Sequence, residues 1–265
     1  MYCKTNDNLN LYYEIHGNAS AANTIVFLNG LSQSTVAWLL MLPQLKNDYR
    51  IVLMDFIFQG QSDKTGEWRT FDTHADDVIA MMNQAGIDKA VVAGISYGSL
   101  VAQHMAVNHA SRIKKLVLMS TFAHKTPYYE AIELSWWRAL EKGGYSLMLD
   151  IMLPSVLSEN YFLNPLIPID LMKQARQETN EDSKALFKLM RATKERPDYR
   201  PALQRVTSES LVIQGEKDLL FPVHMANEVV KAIPGCRLEI IPNAGHTLNL
   251  EAVPQLCAIL RAFVG

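Results

Sequence analysis

Gly94-Ile95-Ser96-Tyr97-Gly98 sets a serine between two glycines. A serine hydroxyl is a poor nucleophile until a base takes its proton, and an imidazole doing so needs a carboxylate to fix its tautomer and stabilise its charged form. Downstream the chain offers both in order. Asp218 ends Gly215-Glu216-Lys217-Asp218, and His246 ends Pro242-Asn243-Ala244-Gly245-His246. The other histidines fit less well: His16, His74, His104, His109 and His124 precede this acid, and His224 follows it closely on an expected helix. Acyl transfer also needs N–H donors aimed at the developing oxyanion. The backbone N–H groups of Leu31, in Asn29-Gly30-Leu31-Ser32, and of Tyr97, just past the serine, are the candidates.

These groups meet only if the segments between them bring their loops to one edge. Short apolar, β-branched runs recur at Leu11 to Ile15, Thr24 to Leu28, Arg50 to Met54, Ala90 to Ala93, Leu116 to Met119, Leu211 to Gln214 and Leu238 to Ile241. Such runs, bounded by turn residues, predict strands buried on both faces of a parallel sheet. The earliest, around Asn6-Asp7-Asn8, predicts an antiparallel edge hairpin instead. Between the runs lie helical spacings, such as Ala75, Val78, Ile79 and Met82, with Thr73 and Asp76 as an expected capping box. The expected fold is α/β, a doubly wound, mostly parallel sheet with helices on both faces. Ser96, Asp218 and His246 each follow one of the runs, and parallel strands end on one rim, so all three belong to the same edge.

The rhythm breaks from His124 to Arg205, where Pro127, Pro154, Pro165, Pro168, Pro197 and Pro201 punctuate short helical stretches. We expect residues 1–123 and 206–265 to form the core and 124–205 to form an inserted helical cap. Its aromatics suit an apolar lid over a pocket, and Trp136, Trp137 and Tyr128 are the candidates for substrate contact.

The 265 residues are 49% hydrophobic and 20% charged, enough apolar material for a large core. A formal net charge of -2, without a long run of like charges, gives no footprint for nucleic acid or a membrane surface. Cys3, Cys236 and Cys257 lack metal-ligand spacing and suit a reducing compartment. Without His-Glu-x-x-His or paired cysteines, neither a metal nor another cofactor is expected. The first residues lack a signal peptide's apolar stretch and no run is of membrane-spanning length, so the expectation is a cytoplasmic enzyme of small-molecule substrates.

Together the Ser96 motif, Asn29-Gly30, the loop Asp55-Phe56-Ile57-Phe58-Gln59-Gly60-Gln61-Ser62, the acid turn Gly215 to Asp218 and Gly245-His246 resemble the α/β-hydrolase fold, in its small capped esterase and lactonase form. The resemblance implies a serine hydrolase of carboxylic esters, lactones or thioesters. Asp55 and Ser62 are read as loop-fixing residues. Three positions depart from many members: Asn29 stands for His, Ile57-Phe58 for Arg-Gly, and Ser99 for a second glycine. The Asn-Gly loop and Gly245-His246-Thr247-Leu248-Asn249-Leu250-Glu251 are also similar to acyltransferases that move 3-hydroxyacyl groups from acyl carrier protein or CoA, although those usually lack the glycine at 94. A third reading is a ligand sensor that keeps the triad. Dehalogenases and epoxide hydrolases of this fold place Asp where Ser96 stands.

Overall fold

The structure, a computed structural model, describes residues 1–179 and 182–265. The apolar runs form strands β1 (Tyr2–Lys4), β2 (Asn10–Gly17), β3 (Thr24–Leu28), β4 (Arg50–Met54), β5 (Ala90–Ile95), β6 (Ile113–Met119), β7 (Glu209–Gly215) and β8 (Arg237–Ile241). They make one sheet in the order β1-β2-β4-β3-β5-β6-β7-β8. β1 and β2 are antiparallel to their neighbours, as the edge hairpin requires, and the rest are parallel. The order reverses at β3, which pairs with β4 on one side and β5 on the other, Val26 lying opposite both Val52 and Val92. Ligands of open α/β sheets bind beyond the carboxyl ends of strands at such a reversal.

Helices cover both faces of the sheet. One core packs α2 (Phe71–Gln84), α3 (Tyr97–Asn108) and α9 (Val223–Ala232) around Val26, Val52, Val92 and Leu116. The other packs α1 (Leu42–Leu45), α10 (Leu248–Glu251) and α11 (Val253–Val264) around Ile25, Ile51, Val91 and Val117. Successive strand residues face opposite ways, which is why continuously apolar runs served both. The expected capping box is misplaced by one turn: Thr70 caps α2, its hydroxyl accepting from Thr73 N–H at 3.1 Å, so Thr73 lies inside the helix.

Between β6 and β7 the chain forms α4 (Pro127–Val156), α5 (Glu159–Leu163), α6 (Ile169–Thr179), α7 (Ser183–Glu195) and α8 (Arg200–Leu203). α4 breaks direction at Gly144, whose φ of 68° lies in the left-handed region that glycine tolerates. The two ends of this segment meet, Tyr199 N–H donating to Ala123 O at 2.9 Å. Beside that junction Arg196 is buried, donating to Gln103 Oε1 and Ala123 O and lying over the rings of Phe71, Phe122 and Tyr199. Among the described residues no helix is long and apolar enough to cross a membrane.

Candidate active site

Ser96 occupies the turn between β5 and α3 with φ 52° and ψ -119°, a strained backbone for a residue with a Cβ. The strain is held from both sides. Ser96 N–H donates to Met119 O at 2.9 Å, and Ser99 Oγ donates to Ser96 O at 2.6 Å and contacts Thr121 Oγ1 at 2.9 Å. Ser99 therefore braces the turn. The flanking glycines are required by contact: a Cβ at Gly98 would lie 2.2 Å from Leu28 O, and one at Gly94 2.2 Å from Gly98 O. The turn thus presses against the end of β3.

Asp218 and His246 stand on the loops after β7 and β8, which are stitched together by Glu216 N–H to Ile241 O and Lys217 N–H to Ala244 O. His246 Nδ1 lies 2.8 Å from Asp218 Oδ2, and both side chains are buried. The carboxylate is fully engaged. Oδ2 also accepts from Gln214 Nε2 at 2.7 Å, and Oδ1 accepts from the N–H groups of Leu220 and Phe221 at 2.9 and 2.8 Å. Phe221 packs edge-on to the imidazole, and Ser120 Oγ donates to His246 O at 2.7 Å. With Nδ1 turned to the acid, Nε2 is the nitrogen left for a reacting hydroxyl. No hydrogen bond joins Ser96 Oγ to His246 among the described residues, a spacing common before substrate draws such groups together.

The Gly30 loop comes close to the serine, for a Cβ at Gly30 would lie 3.5 Å from Ser96 Cβ. Gly30 N–H is taken by Gln33 Oε1 at 2.9 Å, and Gly30 O accepts from Gln59 Nε2 at 2.9 Å. The N–H groups of Leu31 and Tyr97 have no such acceptor among the described residues. Asn29 points away from the site, bonding Met54 O and accepting from Trp38 Nε1 at 2.6 Å. Asp55 accepts from the N–H groups of Thr35 and Gln61, and Ser62 Oγ donates to Asp55 O at 2.6 Å, so this pair fixes the loop after β4.

Ser96 and His246 line one small cavity of about 30 Å³, with Leu31, Ile95, Trp136, Met152, Val156 and Leu220 as its apolar wall. Of the three aromatics expected at substrate, only Trp136 reaches it. Tyr128, in the first turn of α4, is 54% exposed, and Trp137 packs on Phe187 and under Lys194. Neighbouring helix residues diverge by about 100°, so Trp136 and Trp137 face different partners. Gln214, Gln33 and Arg176 also serve or line the site and went unnoticed in the sequence. Gln214 carried a signal in hindsight, a polar residue closing the apolar run of β7; Arg176 carried none beyond its helical spacing.

Comparison with known proteins agrees with this architecture. The family model for the alpha/beta hydrolase fold matches residues 23–253. A 2-hydroxymuconate semialdehyde hydrolase of Pseudomonas sp. (strain CF600) is 21% identical over 255 residues, spanning 93% of this chain and 88% of that protein. MGS-M2, an alpha/beta hydrolase enzyme from a Medee basin deep-sea metagenome library, superimposes with a TM-score of 0.90 at 25% identity, over 100% of this chain and 97% of its own. The enol-lactonase from Burkholderia xenovorans LB400 gives 0.88 at 22% identity, over 100% of this chain and 99% of its own. With the strand order, the strained serine turn and a family match over most of its length, the chain belongs to the alpha/beta hydrolase fold family.

Proposed function

We propose that this protein is a serine hydrolase of carboxylic esters, lactones or thioesters, needing no cofactor. One observation carries the reading: a serine on a strained turn and a histidine bonded to a buried carboxylate line the same small cavity. Ser96 Oγ attacks the carbonyl and gives its proton to His246 Nε2, while the N–H groups of Leu31 and Tyr97 receive the oxyanion. His246 then protonates the leaving group, the tetrahedral centre collapses to an acyl-enzyme, and water activated by the same imidazole releases the acid. Asp218 holds the imidazole in the tautomer that leaves Nε2 to accept. The helices of residues 124–205 act as a cap, supplying Trp136, Met152 and Val156 to the wall. Alcohols and thiols compete with water for the acyl-enzyme in an acyltransferase, and the apolar wall favours such exclusion of water as a second reading. Docking of an acidic carrier finds less support, because three of the four basic residues of α7 are engaged with neighbours: Lys188 with Gly66 O and the Phe58 ring, Arg191 with the Trp68 ring, Lys194 with the Trp137 ring.

Two measurements test the reading together. A fluorophosphonate should label the wild-type protein and not Ser96→Ala, whose circular dichroism should be unchanged; undiminished labelling would put the nucleophile elsewhere. Ester turnover in water alone, abolished in Ser96→Ala, is expected of a hydrolase, whereas a burst that resumes only on addition of an alcohol or thiol would make the protein an acyltransferase.

A further inference from the structure

Gly30 and Leu31 share the peptide whose N–H the proposed reaction aims at the oxyanion, and part of what fixes that peptide comes from another loop. Within its own loop, Gln33 N–H donates to Gly30 O at 3.2 Å, and Gln33 Oε1 accepts from Gly30 N–H at 2.9 Å. These bonds close a four-residue turn whose third member, Ser32, has a left-handed φ of 57°. Bonds inside a turn set its shape and leave its tilt against the sheet free. From outside the turn, Gln59 Nε2 donates to Gly30 O at 2.9 Å.

The loop after β4 is built to deliver that donor. Asp55 Oδ1 accepts from Asn29 Nδ2 at 3.3 Å and from Thr35 N–H at 2.8 Å, so one carboxylate holds both ends of the Gly30 loop. Its Oδ2 accepts from Gln61 N–H at 2.8 Å, just past Gln59. The backbone on either side of Gln59 is left-handed, with φ 82° at Phe58 and 46° at Gly60. A phenylalanine in that conformation is strained, and such strain persists only where the surroundings impose it. Gln59 is itself fully buried, and its Oε1 meets no donor. A half-satisfied buried amide destabilises a fold relative to an apolar side chain of the same size, so packing alone does not account for Gln59.

The consequence for Leu31 follows from peptide geometry. The Gly30–Leu31 bond is trans, so its C=O and N–H point in opposite directions. Holding Gly30 O toward Gln59 therefore turns Leu31 N–H to the other side, and Gly30 and Leu31 both line the cavity that holds Ser96. We propose that Gln59 is a positioning residue, whose amide sets the plane of the Gly30–Leu31 peptide and with it the direction of one oxyanion donor. The proposal rests on the hydrolase reading above and concerns the same site.

Gln59→Met keeps the length of the side chain and removes its donor. Acylation and deacylation both pass through an oxyanion, so kcat on p-nitrophenyl butyrate should fall about 10- to 100-fold while KM stays within about twofold, part of the loss expected when such a donor is removed outright. A trifluoromethyl ketone gives a second readout. Ser96 Oγ adds to its carbonyl carbon, the hydroxyl proton passes to His246, nothing leaves, and the adduct's negative oxygen sits where the oxyanion would. Its inhibition constant should rise by a factor similar to the fall in kcat. Gln59→Leu, also without a donor, serves if Gln59→Met does not fold. A merely structural residue would lower the melting temperature without this split, and equal changes in kcat and KM, or an unmoved inhibition constant, would overturn the proposal. The crystal structure of the variant reads the position apart from turnover, since the peptide between Gly30 and Leu31 should rotate. Rotation in a protein whose wild type cleaves no ester would remove the hydrolase reading and leave Gln59 as the group that orients this peptide. Ester turnover by the wild type, with peptide and inhibition constant unmoved in the variant, would do the reverse.

Discussion

Asp218 accepts four hydrogen bonds, and only one of them comes from His246. The two backbone N–H bonds to Oδ1 survive in Asp218→Asn, which should therefore fold and present a donor where an acceptor was needed. The wrong tautomer then faces Ser96, and kcat should fall by about 10⁴ with little change in melting temperature; kinetics on the folded variant check this. Glu133, on the buried face of α4, behaves differently: burial pushes its carboxyl up to about 7, with Lys125 and Lys194 pulling weakly the other way. A carboxyl raised by folding binds more protons in the native state than in the unfolded one, so its contribution declines as pH rises through the window from its ordinary 4.5 to about 7. Glu133→Gln should remove that decline, and denaturant titrations of both proteins at pH 5 and pH 8 measure the difference. At this scale the serine, the acid and the histidine were legible because each sat in a turn after an apolar run. The aromatic contacts were not, since sequence alone gave no rotational phase for α4, and Arg176 looked like any basic residue on an amphipathic helix.

Among the elements, the turn from β5 to α3 is where the sequence is least free. Gly98 lies against the end of β3, and Gly98→Ala must move Leu28 O or the turn itself, at a cost on the order of 1–3 kcal/mol or more. Thermal unfolding should show that loss together with reduced fluorophosphonate labelling, because the same displacement shifts Ser96; a variant as stable and reactive as wild type would refute the contact argument. Thr24–Leu28 and Arg50–Met54 were readable to the residue, since burial on both faces writes an uninterrupted apolar run, whereas strands such as Ile113–Met119 run up to three residues beyond theirs. Helix starts were less so. Thr70 and Thr73 are both good caps in isolation, and the choice of Thr70 reflects where Phe71 enters the core. Gly144 reads as a mild helix defect in the sequence, whereas here it breaks α4 at a kink.

Across the whole molecule, residues 124–205 are anchored at one end by a buried charge. Arg196 is lowered to about 9 by burial, and it is retained by Gln103 Oε1, Ala123 O and three aromatic rings. Arg196→Met should strand Gln103 Oε1, at about 1–3 kcal/mol when left unsatisfied, while Ala123 O keeps the N–H of Tyr199. The expected signature is proteolytic cleavage within 124–205 at temperatures where the sheet stays intact; simultaneous loss of both would show that the segment has no independent opening. The division of the chain into a strand-rich part and a helical part was visible in its proline spacing, but this latch was not, because Gln103 and Arg196 are far apart in sequence.

The hydrogen bond from Tyr199 to Ala123 has one more consequence. It makes the entrance and exit of the helical segment a single point on the sheet, so the segment is a detour whose length the strands never register. Natural variation can therefore lengthen, shorten or exchange it and leave β6 and β7 paired as they are. Under the proposed function, the side chains at the rim stay in place while the vestibule is rewritten, so one rim can take new substrates by replacing what stands above it.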